Sequence, residues 1–369
     1  MKLYPTPLNI RVEGVNSFNA FENNFDLIRL FAAVQVMVLN HYNSYFHFKF
    51  DFAWCFEAFS GVPIFLFITG FFIPMSFEHN PKVFQFLRNR CLKIFPEMWA
   101  SIFLSVILML LSGYEIRASV SSFALYVLSY LIYPLYTPEY LRGYGAGTLN
   151  GVLWIIPVQL CFYAAIPVLY KVFDFKRRSS IWLLLLFIFS IAFNSLVYEV
   201  FHSFGISESG AFAKAYKWSI FVHCPMLILG MFFFKNRERM YRLLSGKFPI
   251  VLAVHLCIFF ALHCLGLPNY PLGQESGYFK YIVMVSLAFC VFSAGYSMPK
   301  LGRKLLGGFD LSYALYVYHM PIANFVIYVF GSGWKYGVLS AFAVVGVSVL
   351  SKKYLEDYFV RLKKNSLRS

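Results

Sequence analysis

Apolar positions in this chain gather into runs of roughly 20 residues, the length a helix needs to cross a bilayer, and short polar segments divide the runs. They fall at 26–46, 54–77, 94–112, 149–170, 180–200, 218–234, 248–267, 281–298, 311–330 and 335–351. An eleventh stretch, 120–136, is apolar and aromatic but shorter. The pattern predicts an all-α polytopic membrane protein. Its integral membrane domain covers 25–351, between a polar N-terminal segment over 1–24 and a basic tail over 352–369. Neither end is long enough to fold alone, and no internal repeat is visible, so the chemistry is expected within the membrane domain.

Composition removes the rival classes. Apolar residues make up 59% and charged residues 13%, against about 45–50% and 25% in soluble domains. Mean hydropathy is +0.63. Two soluble domains or a disordered chain are excluded. The seven cysteines form no C-x-x-C pair and show no zinc or iron–sulfur spacing. They read as small buried hydrophobes, and no metal site is expected.

Charge then orders the spans. With the N-terminus inside and 120–136 left out, 25 of the 32 basic residues fall on the inner side, as the positive-inside rule demands. Counting 120–136 as a span would put the Lys171–Arg178 and Lys300–Lys304 clusters on opposite faces. Ten spans with both termini cytoplasmic is the resulting expectation, and 120–136 becomes an interfacial or re-entrant part of an outer loop. Its Tyr126, Tyr130, Tyr133 and Tyr136 suit the headgroup zone. The net charge of +15 is thereby explained by topology, and nucleic acid is not an expected partner; membrane lipids are.

Ionisable groups inside spans are costly and mark candidate chemistry. The first span carries Arg29 near its inner end and His41 twelve positions on, about 18 Å along an α-helix. A cation at the mouth and an imidazole deeper in suit an anionic cytosolic substrate. The alternatives are a headgroup anchor for Arg29 and an interfacial histidine for His41. Before the third span, Arg88, Arg90 and Lys93 place three cations in six residues, either a phosphate site or a positive-inside anchor.

These segments resemble the membrane-bound acyltransferase-3 family, which includes O-antigen, exopolysaccharide and nodulation-factor acetylases. The motifs are Arg29 and His41, the glycine-bearing run Ser60–Ile73, and Phe86-Leu87-Arg88-x-Arg90-x-Leu92-Lys93-Ile94-x-Pro96-x-x-Trp99. Asn150-Gly151-x-Leu153-Trp154-x-x-Pro157-Val158-Gln159 and Asp310-x-Ser312-Tyr313-x-x-Tyr316-x-x-His319-x-Pro321 complete the set in order. The resemblance implies transfer of an acyl group, foremost acetyl from acetyl-CoA, to a hydroxyl of a cell-surface glycan or lipid-linked saccharide at a bacterial inner membrane. Arg88, Arg90 and Lys93 would hold the CoA phosphates, with Arg29 near the pantetheine entry. His41 would serve as general base or transient acyl carrier, and Trp154, Gln159 and His319 would line the substrate side. A transporter or flippase for a glycan or small anion is the alternative class.

Three departures stand out. The family spaces its Arg and His by ten residues, whereas eleven separate Arg29 from His41. On a straight helix i+12 lies 120° off the starting face, so either a π-bulge restores the facing or Asn40 takes the position. Lys93 replaces an arginine of the family's inner-loop pair, and Gln159 replaces a glutamate.

Overall fold

The computed structural model describes residues 18, 22–48, 53–134, 136–207, 210–267, 278–356 and 358. Most of the expected segments 1–24 and 352–369 lie outside them. The described residues form helices and connecting turns, with no strand. The numbered helices are α1 (Phe25–Gln35), α2 (Gly61–His79), α3 (Val83–Leu111), α4 (Val120–Ile132), α5 (Ile155–Lys171), α6 (Ile181–Ser203), α7 (Ile220–Lys235), α8 (Phe248–Cys264), α9 (Phe279–Ser297), α10 (Ser312–Phe330) and α11 (Trp334–Ser351). Shorter helical pieces link several of them.

By length and apolarity, eight helical stretches among the described residues can cross a membrane, or nine if Arg237–Leu244 and Phe248–Cys264, bent by 92°, are one span. The expectation was ten. The difference lies at the first span, which is helical from Phe25 to Tyr45 but diluted by Asp26, Arg29, Gln35, Asn40 and His41. A second difference concerns α3. It begins eleven residues before the expected span, so the basic cluster sits on its first turns rather than in a loop. The 120–136 stretch folds as the 13-residue helix α4, too short to span. Tyr126 and Tyr130, one turn apart, face inward and are buried, while Tyr133 and Tyr136 are exposed. Only the latter pair is free to meet headgroups.

Helices α2, α9 and α10 form the most enclosed part of the bundle, whereas α6 and α11 expose most of their apolar surface. Exposed leucines and phenylalanines on such outer helices face hydrocarbon in a bilayer, where they carry no penalty. The cysteines follow the same logic. Cys290 is buried, but Cys161, Cys257 and Cys264 are exposed, so the expectation of buried cysteines fails for these three. A small apolar thiol is as well placed against lipid as inside the bundle.

Without a hydrophobic force between helices in lipid, close approach depends on small residues. Helices α2 and α7 cross at Gly70 and Gly230. A Cβ on Gly70 would stand 2.2 Å from the Leu227 carbonyl oxygen, and one on Gly230 would stand 2.4 Å from that of Phe67. Gly70→Val is therefore expected to force these backbones apart, at a cost of at least the roughly 1–3 kcal/mol of core overpacking. A lowered thermal midpoint in detergent checks this; an unchanged midpoint would show that the crossing tolerates a side chain.

The chain from Arg142 to Asn150 is pinned to α10. Asn324 donates to the carbonyls of Thr148 (2.7 Å) and Leu149 (3.2 Å) and accepts from the Ala146 amide at 2.9 Å. Pro321 has no N–H and so leaves the Val317 carbonyl without its helical donor; the Asn150 side-chain amide supplies one at 2.9 Å. These bonds hold one side of α10 next to His319.

Candidate active site

The first span changes its winding where the spacing demands it. Residues Val36–Tyr42 form a π-helix directly after α1. A π-turn takes up one extra residue, and one α-helical residue turns the chain by 100°. Most of the 120° offset between Arg29 and His41 is thereby removed. Of the two alternatives left by the sequence, the structure contains the bulge.

His41 then meets His319 of α10. His41 Nδ1 and His319 Nε2 are 3.0 Å apart, with ring centroids 5.0 Å apart. His319 is fully buried and its Nδ1 lies 3.1 Å from the Leu315 carbonyl oxygen. His41 is less enclosed; Tyr45 stacks on its ring at 5.7 Å. Next along the turn, the Tyr42 hydroxyl bonds Ser340 Oγ at 2.6 Å, tying the span to α11.

A cavity of about 170 Å³ opens at the end of the bundle where α1 begins. Arg29, Arg90, Lys93 and Gln159 all line it, together with Tyr316. Arg29 Nη1 bonds Asp26 Oδ1 at 2.7 Å, and its guanidinium lies 5.3 Å from the Phe72 ring centroid. Arg90 bonds Ser76 Oγ. Tyr316 links this cavity to the histidines: its ring meets that of His319 edge-on at 6.1 Å. Its hydroxyl is fixed by the Val152 carbonyl at 2.9 Å.

Two residues singled out from the sequence stand elsewhere. Arg88 is exposed and does not line the cavity. On a helix, positions two apart point about 200° from each other, whereas Arg90 and Lys93, three apart, share a face. Trp154 ends a 3₁₀ turn and packs against His223, ring centroids 5.0 Å apart, away from the cavity lining. Conversely, the sequence reading gave no site role to Glu97, Tyr163, Asp310 or Lys352, all on the cavity wall. Glu97 was accessible in principle, being one turn beyond Lys93 on the same face. Lys352 was not, because only the fold brings the end of α11 beside α3.

A sequence profile described as an acyltransferase domain matches residues 22–352. The chain belongs to the acyltransferase-3 family. It is 29% identical over 357 residues to Nodulation protein 10 of Rhizobium leguminosarum bv. viciae, covering 92% of this chain and 94% of that protein. It is 25% identical over 359 residues to an O-acetyl transferase of Shigella phage Sf6, covering 92% and 96%. No solved structure matches the chain. As a family member with eight or nine helices, among the described residues, long and apolar enough to cross a membrane, the protein is an integral membrane acyltransferase.

Proposed function

We propose that the protein transfers an acetyl group from acetyl-CoA to a hydroxyl of a cell-surface glycan or lipid-linked saccharide, in the inner membrane of a bacterium. The observation that carries this reading is the cationic cavity lined by Tyr316, whose ring also contacts the His41–His319 pair. In this reading both termini are cytoplasmic and the cavity faces the cytosolic donor. Arg90 and Lys93, with Arg29 alongside, engage the CoA phosphates, for which guanidinium and ammonium donors are suited. Exposed Arg88 contributes at the approach rather than inside.

The thioester then points past Tyr316 toward His41. The acceptor hydroxyl loses its proton to the imidazole as its oxygen attacks the acetyl carbonyl; the thioester C–S bond breaks, and the proton passes to the departing thiolate to give CoA–SH. An acyl-imidazole on His41 would divide the same transfer into two steps. Gln159, on the cavity wall, serves as a neutral hydrogen-bonding group for the pantetheine arm. The O-acetyl transferase of phage Sf6 supports the choice of acetyl and oxygen as the transferred group and acceptor atom.

Ester analysis of surface glycans from cells with the gene, without it, and with it restored tests the reading. Acetyl esters that vanish and return with the gene are expected. Glycans with identical ester content in all three strains would rule it out.

A further inference from the structure

The contact between His41 and His319 has a direction, because one end of the chain of bonds can only accept. His319 Nδ1 faces the Leu315 carbonyl oxygen at 3.1 Å, so this nitrogen carries a proton. In a neutral ring the proton on Nδ1 leaves Nε2 as an acceptor. That acceptor lies 3.0 Å from His41 Nδ1, which must then be the donor. The opposite direction would need a doubly protonated His319, a cation fully enclosed and bonded to no carboxylate among the described residues. Burying such a charge unpaired is strongly unfavourable.

We propose that His319 is a positioning residue that fixes the tautomer of His41, leaving Nε2 of His41 as the atom that takes the acceptor's proton. This rests on the reading of His41 as the base. His319 itself is unsuited to that task, since it is fully buried and both its ring nitrogens are engaged. The relay has the logic of a catalytic triad: a third group selects the tautomer and aims the basic nitrogen. Here the orienting group is a second imidazole, itself oriented by a backbone carbonyl of its own helix.

The test is nitrogen NMR of ¹⁵N-histidine-labelled full-length protein in lipid nanodiscs, with the His41 signals identified by their loss in His41→Gln. In the wild type, His41 is expected to show a protonated Nδ1 and an unprotonated Nε2. His319→Phe should give a mixture of His41 tautomers and lower kcat by about tenfold or more, with acetyl-CoA affinity unchanged. His319→Gln, whose side-chain oxygen can stand near the position of Nε2, should recover most of both. A wild-type His41 protonated on Nε2, or a His319→Phe protein with wild-type tautomer and kcat, would overturn the proposal. Full activity in His41→Gln would instead remove the base assignment, and the spectra would still report the tautomer.

Discussion

Replacing His41 by alanine is expected to abolish detectable acyl transfer while the protein still inserts and binds acetyl-CoA. General-base catalysis contributes about 10²–10⁴-fold, and no other imidazole at this point is free to take the role, because His319 is enclosed with both nitrogens engaged. Asn40→Ala is expected to keep a substantial fraction of activity, since an amide is a poor proton acceptor whatever its place on the π-turn. The measurement is acetyl transfer by purified variants in liposomes, with donor binding recorded in parallel. An active His41→Ala alongside a dead Asn40→Ala would move the chemistry off His41.

The double exchange Arg90→Gln with Lys93→Gln is expected to weaken acetyl-CoA binding at least a hundredfold. Each charge-assisted hydrogen bond contributes about 1.5–3 kcal/mol, and both side chains face the same small cavity. Arg88→Gln is expected to change the affinity only slightly, because its side chain points to the surroundings. Calorimetric titration of acetyl-CoA into the three proteins separates these outcomes. Equal losses from Arg88→Gln and the double variant would mean that the phosphates bind at the helix surface and not in the cavity.

The sequence shows the fold class because twenty-residue apolar runs have few other uses, and the basic clusters between them order the runs. The first span is helical over Phe25–Tyr45, close to the expected 26–46, but the residues that form the site are those that weaken its hydrophobic signal. The third helix also begins before its apolar run. Arg88, Arg90 and Lys93 look like a loop because they are charged, yet they continue α3, and helical periodicity then divides them between two faces. The tyrosines of 120–136 show the same limit: their spacing marks a shared face for Tyr126 and Tyr130, but not whether that face meets lipid or protein.

The site itself was legible only as separate pieces. Arg29 and His41 are local to one helix, and their offset poses the question that the π-turn answers. The pairing of His41 with His319 joins residues 278 apart, and Lys352 joins the cavity from the far end of the described chain. No periodicity within one helix encodes such contacts. They follow from how the bundle packs, including the glycine crossing of α2 with α7 and the pinning of α10 by Asn150 and Asn324.

The π-turn at Val36–Tyr42 also bears on how such a helix tolerates changes of length. Adding one residue to a regular membrane helix would swing everything beyond it by about 100° and raise it by 1.5 Å, enough to turn a reactive side chain away from its partner. A single widened turn absorbs the added residue where it occurs. The imidazole keeps its bearing, and the rest of the bundle need not repack. Length variation at this position is therefore compatible with an unchanged reaction centre, and the spacing between its arginine and histidine is a poor measure of whether a chain of this kind is active.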